Sequence, residues 1–69
     1  MEISARNQLA GTVQDVTKGQ VMAEVVVKLD GGEEIVSVIT VSSVERLNLT
    51  VGSKVTVIIK STEVMLATA

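Results

Sequence analysis

An all-β fold is what this sequence predicts, on three observations. Val, Ile and Thr occupy 26 of the 69 positions, and β-branched side chains suit a pleated, half-buried surface. Aromatic residues are absent although 46% of the residues are hydrophobic, so the core must be aliphatic. Apolar residues recur with a period of two over short runs that are broken by Gly, Asp and Ser, which is the pattern of strands joined by turns.

The first strand is expected from Gln8 to Val16. Leu9, Gly11 and Val13 alternate, and Val16 then falls on the opposite parity, so a bulge is expected near Gln14-Asp15. Lys18-Gly19 reads as a tight turn. Val21, Ala23, Val25, Val27 and Leu29 follow on one face of a second strand, with Met22, Glu24, Val26 and Lys28 on the other. Asp30-Gly31-Gly32 marks a hairpin, because glycine tolerates the positive φ that short turns require. A third strand runs from about Glu34 to Val41.

Ser42-Ser43-Val44-Glu45 fits a capping box, in which a hydroxyl and a carboxylate satisfy each other's backbone amides, and it predicts a short helix through about Leu47. Thr50-Val51-Gly52-Ser53 turns the chain. Val55, Val57 and Ile59 alternate with Thr56 and Ile58 in a fourth strand, and Glu63 to Ala67 gives a short fifth. Three strands, a helix and two more strands is the order of a five-stranded OB-type barrel with one short helix between the third and fourth strands. Residues 1–69 are expected to form one domain, since neither a linker nor an internal repeat interrupts them.

A domain of this size buries only about 60% of the surface that its unfolded chain exposes. Cys and His are both absent, which leaves no disulfide and no transition-metal staple, so oligomerisation is the remaining source of stability. Val25-Val26-Val27 and Val57-Ile58-Ile59 carry apolar side chains on both faces, and that surplus predicts subunit contacts. No apolar run approaches the roughly 18 residues of a membrane span. Met1-Glu2-Ile3-Ser4 lacks the pattern of a secretory signal, so a cytoplasmic protein is expected.

Without His or Cys, an enzyme is not expected. Lys60-Ser61 and Ser53-Lys54 are the remaining Ser-Lys pairs, but adjacent strand residues point to opposite faces. Nucleic-acid binding by an OB-type barrel calls for a basic groove and aromatic platforms. The net charge is −2 and there are no aromatics, so nucleic acid is a poor partner, and a protein-interaction module is the other alternative.

A small oxyanion asks for less: one or two cations, hydroxyls and free amides. Ser4-Ala5-Arg6-Asn7 sets a hydroxyl and a guanidinium two residues apart, on the same side of an extended segment. Lys60-Ser61-Thr62 adds an ammonium and hydroxyls after a buried strand. Thr40 and Ser42-Ser43 stand where a helix begins, and its dipole favours negative charge there. Each segment alone also has an ordinary reading, as solvated charges or as a helix cap.

Taken together, Ile3-Ser4-Ala5-Arg6-Asn7-Gln8-Leu9, Thr40-Val41-Ser42-Ser43-Val44 and Ile59-Lys60-Ser61-Thr62-Glu63-Val64-Met65 resemble the molbindin (Mop) family over essentially the whole chain. The resemblance implies an OB-type barrel that assembles as a hexamer, a trimer of dimers, and binds molybdate or tungstate between subunits for intracellular storage and homeostasis. It implies that Ser4, Ala5 (through its amide), Arg6, Lys60 and Ser61 of one subunit hold the oxyanion with Thr40 and Ser43 of a neighbour. It also implies a second anion site, on a symmetry axis, around Lys18, Gly19 and Gln20. No organic cofactor, catalytic residue or free metal cation is expected.

Overall fold

The computed structural model describes all residues, 1–69. Four strands form one antiparallel sheet: β1 (Asn7–Lys18), β2 (Met22–Leu29), β3 (Glu34–Thr40) and β4 (Lys54–Ile59). A six-residue helix, α1 (Val41–Arg46), joins β3 to β4, and a single 3₁₀ turn covers Ser61–Glu63. The strand order is β3-β2-β1-β4. The fold is therefore all-β, a curled half-barrel consistent with the OB type.

The long first strand organises the sheet. Its first half pairs with β4, from Asn7↔Ile59 to Thr12↔Lys54, and its second half pairs with β2, from Gly11↔Leu29 to Lys18↔Ala23. Gly11 and Thr12 alone are paired on both sides. The two neighbouring strands close tightly there: a Cβ on Gly11 would lie 2.6 Å from Val27 Cγ1 and 2.8 Å from the Lys28 carbonyl oxygen. The register slips by one residue between Val13 and Asp15, which places a bulge at Gln14. Such a bulge sharpens the local bend and twist, and it brings Val16 back to the concave face opposite Val25.

The fully buried apolar residues are Val13, Ala23, Val25, Val27 and Val44, with Val16, Leu29, Ile39, Val41, Leu49, Val55 and Val57 half-buried around them. The β2 alternation thus meets its expectation, except at Val21, which lies in the turn and is 69% exposed. Turn chemistry follows the sequence at both remaining sites. Gly32 (φ 102°) donates from its amide to the Leu29 carbonyl, and Gly52 (φ 96°) follows Thr50, whose carbonyl accepts from Ser53 N.

Two further expectations are corrected. The fifth strand does not form: after the 3₁₀ turn the chain leaves the sheet without regular structure, so the sheet has four strands, not five, and both β3 and β4 are unpaired edges. Met65 and Leu66 are each 93% exposed. Alternation yields a strand only where the segment pairs with an edge, and here the final segment pairs with neither β3 nor β4. The helix cap is Thr40, not Ser42 with Glu45: the Thr40 hydroxyl accepts from Ser43 N at 3.0 Å. The helix ends at Arg46 with Leu47 as its C-cap, and Asn48 follows with a φ of 54°, the left-handed conformation that commonly closes a helix.

Candidate functional site

The β1–β4 ladder brings two of the three polar segments together. Its last pair is Asn7↔Ile59, so Arg6 on one strand and Lys60 on the other leave the sheet side by side. Ser4 and Ala5 lie just beyond Arg6, where the backbone bends, and Ser61 opens the 3₁₀ turn after Lys60. Ser4, Arg6, Lys60 and Ser61 are exposed and Ala5 is half-buried. Sequence separation of more than fifty residues thus becomes adjacency at one end of the sheet. Two cations and two hydroxyl-bearing residues gather there, and no acidic side chain forms an ion pair with either cation.

The bend itself is held from within β1. Gln8 Nε2 donates to the Ala5 carbonyl oxygen at 2.7 Å. Sequence reasoning attached no role to Gln8; the only available signal was a carboxamide three residues after a small residue at a strand start.

Thr40 and Ser43 sit elsewhere. Thr40 ends β3 opposite Met22, the first residue of β2, and the next β2 residue pairs with Lys18 at the far end of β1. The twelve residues of β1, roughly 35 Å of extended strand before curvature, separate this end from Arg6. Within one chain, the cations and the Thr40–Ser43 hydroxyls are not brought together.

The hydroxyls at this second end are connected. Thr40 Oγ1 donates to Ser43 Oγ at 2.8 Å and accepts from Ser43 N, and Ser42 Oγ lies 3.2 Å from it. The Val41 amide is taken by the Val21 carbonyl at 2.8 Å. Two of the first helical amides are therefore committed internally, and the hydroxyls, not those amides, are what this end offers a ligand.

Gln20 lines one shallow cleft with Val21, Thr40, Val41, Ser42 and Glu45. The structure thus draws the Lys18-Gly19-Gln20 turn against the helix start, a neighbourhood that spacing in the sequence does not reveal. Gly19 N donates to the Met22 carbonyl at 2.8 Å, which closes the turn. Glu45 also lines the cleft, and its negative charge opposes an anion there unless cations arrive from outside.

The TOBE domain family matches residues 3–66. Molybdenum-pterin-binding protein 3 of Clostridium pasteurianum is 50% identical over 66 residues, covering 96% of this chain and 97% of that protein. The chain belongs to the TOBE-domain family, in its Mop branch. Among solved structures, MopII from Clostridium pasteurianum superposes with a TM-score of 0.92 at 48% identity, covering 97% of this chain and all of that one. A molybdate-binding protein from Sporomusa ovata also gives 0.92, at 44% identity and 99% coverage of this chain and all of that one.

Two of these relatives are named for what they bind, molybdenum-pterin in the Clostridium protein and molybdate in the Sporomusa protein. Within the present chain no group of His, Cys, Asp or Glu is arranged to hold a metal ion. A cationic and hydroxyl-rich end is the opposite chemistry, suited to an anion. No helix is long and apolar enough to cross a membrane.

Proposed function

We propose that this chain is a single Mop-type domain over residues 1–69 that binds molybdate, or tungstate, at the interfaces of a homo-oligomer and serves intracellular molybdenum storage and homeostasis in the cytoplasm. The observation that carries the reading is the juxtaposition of Arg6 and Lys60 at the end of the β1–β4 ladder, flanked by Ser4 and Ser61. The Mop relatives, one of them a molybdate-binding protein, give this cationic end its ligand class.

Molybdate is a tetrahedral dianion. Arg6 and Lys60 together balance its charge, while the Ser4 and Ser61 hydroxyls and the Ala5 amide donate to its oxygens. Thr40 and Ser43 of a neighbouring subunit complete the donor set, which explains why one chain keeps them far from the cations. Lys18, Gly19 and Gln20 form the second anion site, with charge supplied across a symmetry axis.

The exposed apolar residues support assembly. Val36 and Val38 on β3 are 59% and 60% exposed, both sheet edges are open, and only six residues are buried within a single chain. A hexamer built as a trimer of dimers would cover such surfaces and generate the interface sites. Because donors arrive from two chains, the anion stabilises the assembly by mass action. Selectivity over sulfate follows from size, since a ring of donors set for the longer metal–oxygen bonds leaves a smaller anion with stretched contacts. Titration calorimetry tests the reading: saturable molybdate binding that sulfate does not compete away supports it, and the absence of a binding isotherm overturns it.

A further inference from the structure

The Gln8 to Ala5 hydrogen bond reaches further than the bend it closes. It runs from the second residue of β1 back to the segment that carries Ser4 and Arg6. The Ala5 carbonyl and the Arg6 N–H belong to one planar trans peptide and point in opposite directions. Fixing the carbonyl therefore fixes the amide. The Arg6 N–H has no acceptor within the chain. It is the last amide before the β1–β4 ladder, beside the strand end from which Lys60 and Ser61 emerge.

We propose that Gln8 is a positioning residue for oxyanion binding, which holds the Ala5–Arg6 peptide so that the Arg6 N–H is presented as a fixed donor to the anion. The inference rests on the molybdate-binding reading and adds a residue and a backbone donor to it. A carboxamide suits the task, because its NH₂ can donate to a carbonyl without adding charge beside the ligand. A free bend would sample several peptide orientations and would lose that freedom on binding, whereas a held one has lost it already. A hydrogen bond to an anion is also stronger than one between neutral groups, so a correctly aimed amide contributes more to binding than the neutral Gln8 bond that aims it.

The test uses the full-length ¹⁵N-labelled protein, molybdate, and the variants Gln8→Met and Gln8→Thr. Met matches the length of Gln without a donor, and Thr suits a strand but is too short to reach Ala5. In the wild-type protein the Arg6 amide resonance is expected to move downfield as molybdate saturates the site. In each variant that displacement should be at least halved and the dissociation constant raised about tenfold, with the oligomer mass unchanged. A variant that assembles, binds with wild-type affinity and keeps the full Arg6 displacement overturns the role of Gln8 alone. A wild-type protein that ignores molybdate overturns the binding reading as well.

Discussion

Asn7 and Ile59 form the final pair of the β1–β4 ladder, so Arg6 and Lys60 leave the sheet together with like charge. Two cations held at one place by a sheet repel one another, and a dianion between them converts that repulsion into two favourable contacts. Arg6→Ala should weaken molybdate binding by about 2 to 3 kcal/mol, through loss of a charge-assisted partner to a partly desolvated anion. Lys60→Met should weaken it as well, and the double variant should lose less than the sum, because both residues act on one ion. Calorimetric titration of the three proteins measures this, and unchanged affinity in Arg6→Ala would remove Arg6 from the site.

Thr40 caps α1 by accepting from Ser43 N and also donates to Ser43 Oγ. Thr40→Val keeps the shape and loses both bonds. It should destabilise the ligand-free protein by about 1 kcal/mol, as cap removal does, and should weaken molybdate binding in addition. Thr40→Ser retains the hydroxyl and should stay close to wild type in both respects. Urea unfolding at a fixed protein concentration, paired with calorimetry, separates the two effects.

Gly11 lies where β1 is paired on both sides, and a side chain there would meet Val27 Cγ1 and the Lys28 backbone. Gly11→Ala should destabilise the fold by about 1 to 3 kcal/mol through overpacking against backbone that cannot retreat without breaking the ladder. A urea midpoint equal to that of the wild type would mean that β1 and β2 can separate at this point.

Gly52 has open space around its missing Cβ but a φ of 96°. Gly52→Ala should therefore cost about 1 to 2 kcal/mol through backbone strain alone. Gly31→Ala in the β2–β3 hairpin serves as the contrast: its φ is not positive, and its nearest contact, at 2.7 Å, is the end of the flexible Glu33 side chain. The Gly31 variant should unfold close to the wild-type midpoint.

Much of this architecture is legible in the sequence. The Ala23, Val25, Val27 alternation finds the buried face of β2, and the parity change between Val13 and Val16 finds the bulge. Both are consequences of strand periodicity, which is local. The fifth strand is not local in the same sense, because Val64, Met65 and Leu66 need an edge to pair with and they pair with neither open edge of the chain's own sheet. Ser42 and Glu45 carry the capping-box spacing, yet the cap is Thr40, which the sequence conceals because it is also the last strand residue. At the site, residue types pointed to an anion from the start. The resemblance implies that Arg6 and Lys60 of one subunit meet, and the ladder register gives the physical reason, whereas the nearness of Gln20 to Thr40 follows from the sheet order alone.

Native mass spectrometry of the purified protein, with and without micromolar molybdate and with sulfate as the control anion, tests the central claim most directly. The account predicts a hexamer that gains mass in molybdate-sized steps and does not do so with sulfate. A monomer whose mass molybdate leaves unchanged would contradict both the interface site and the assembly on which it depends.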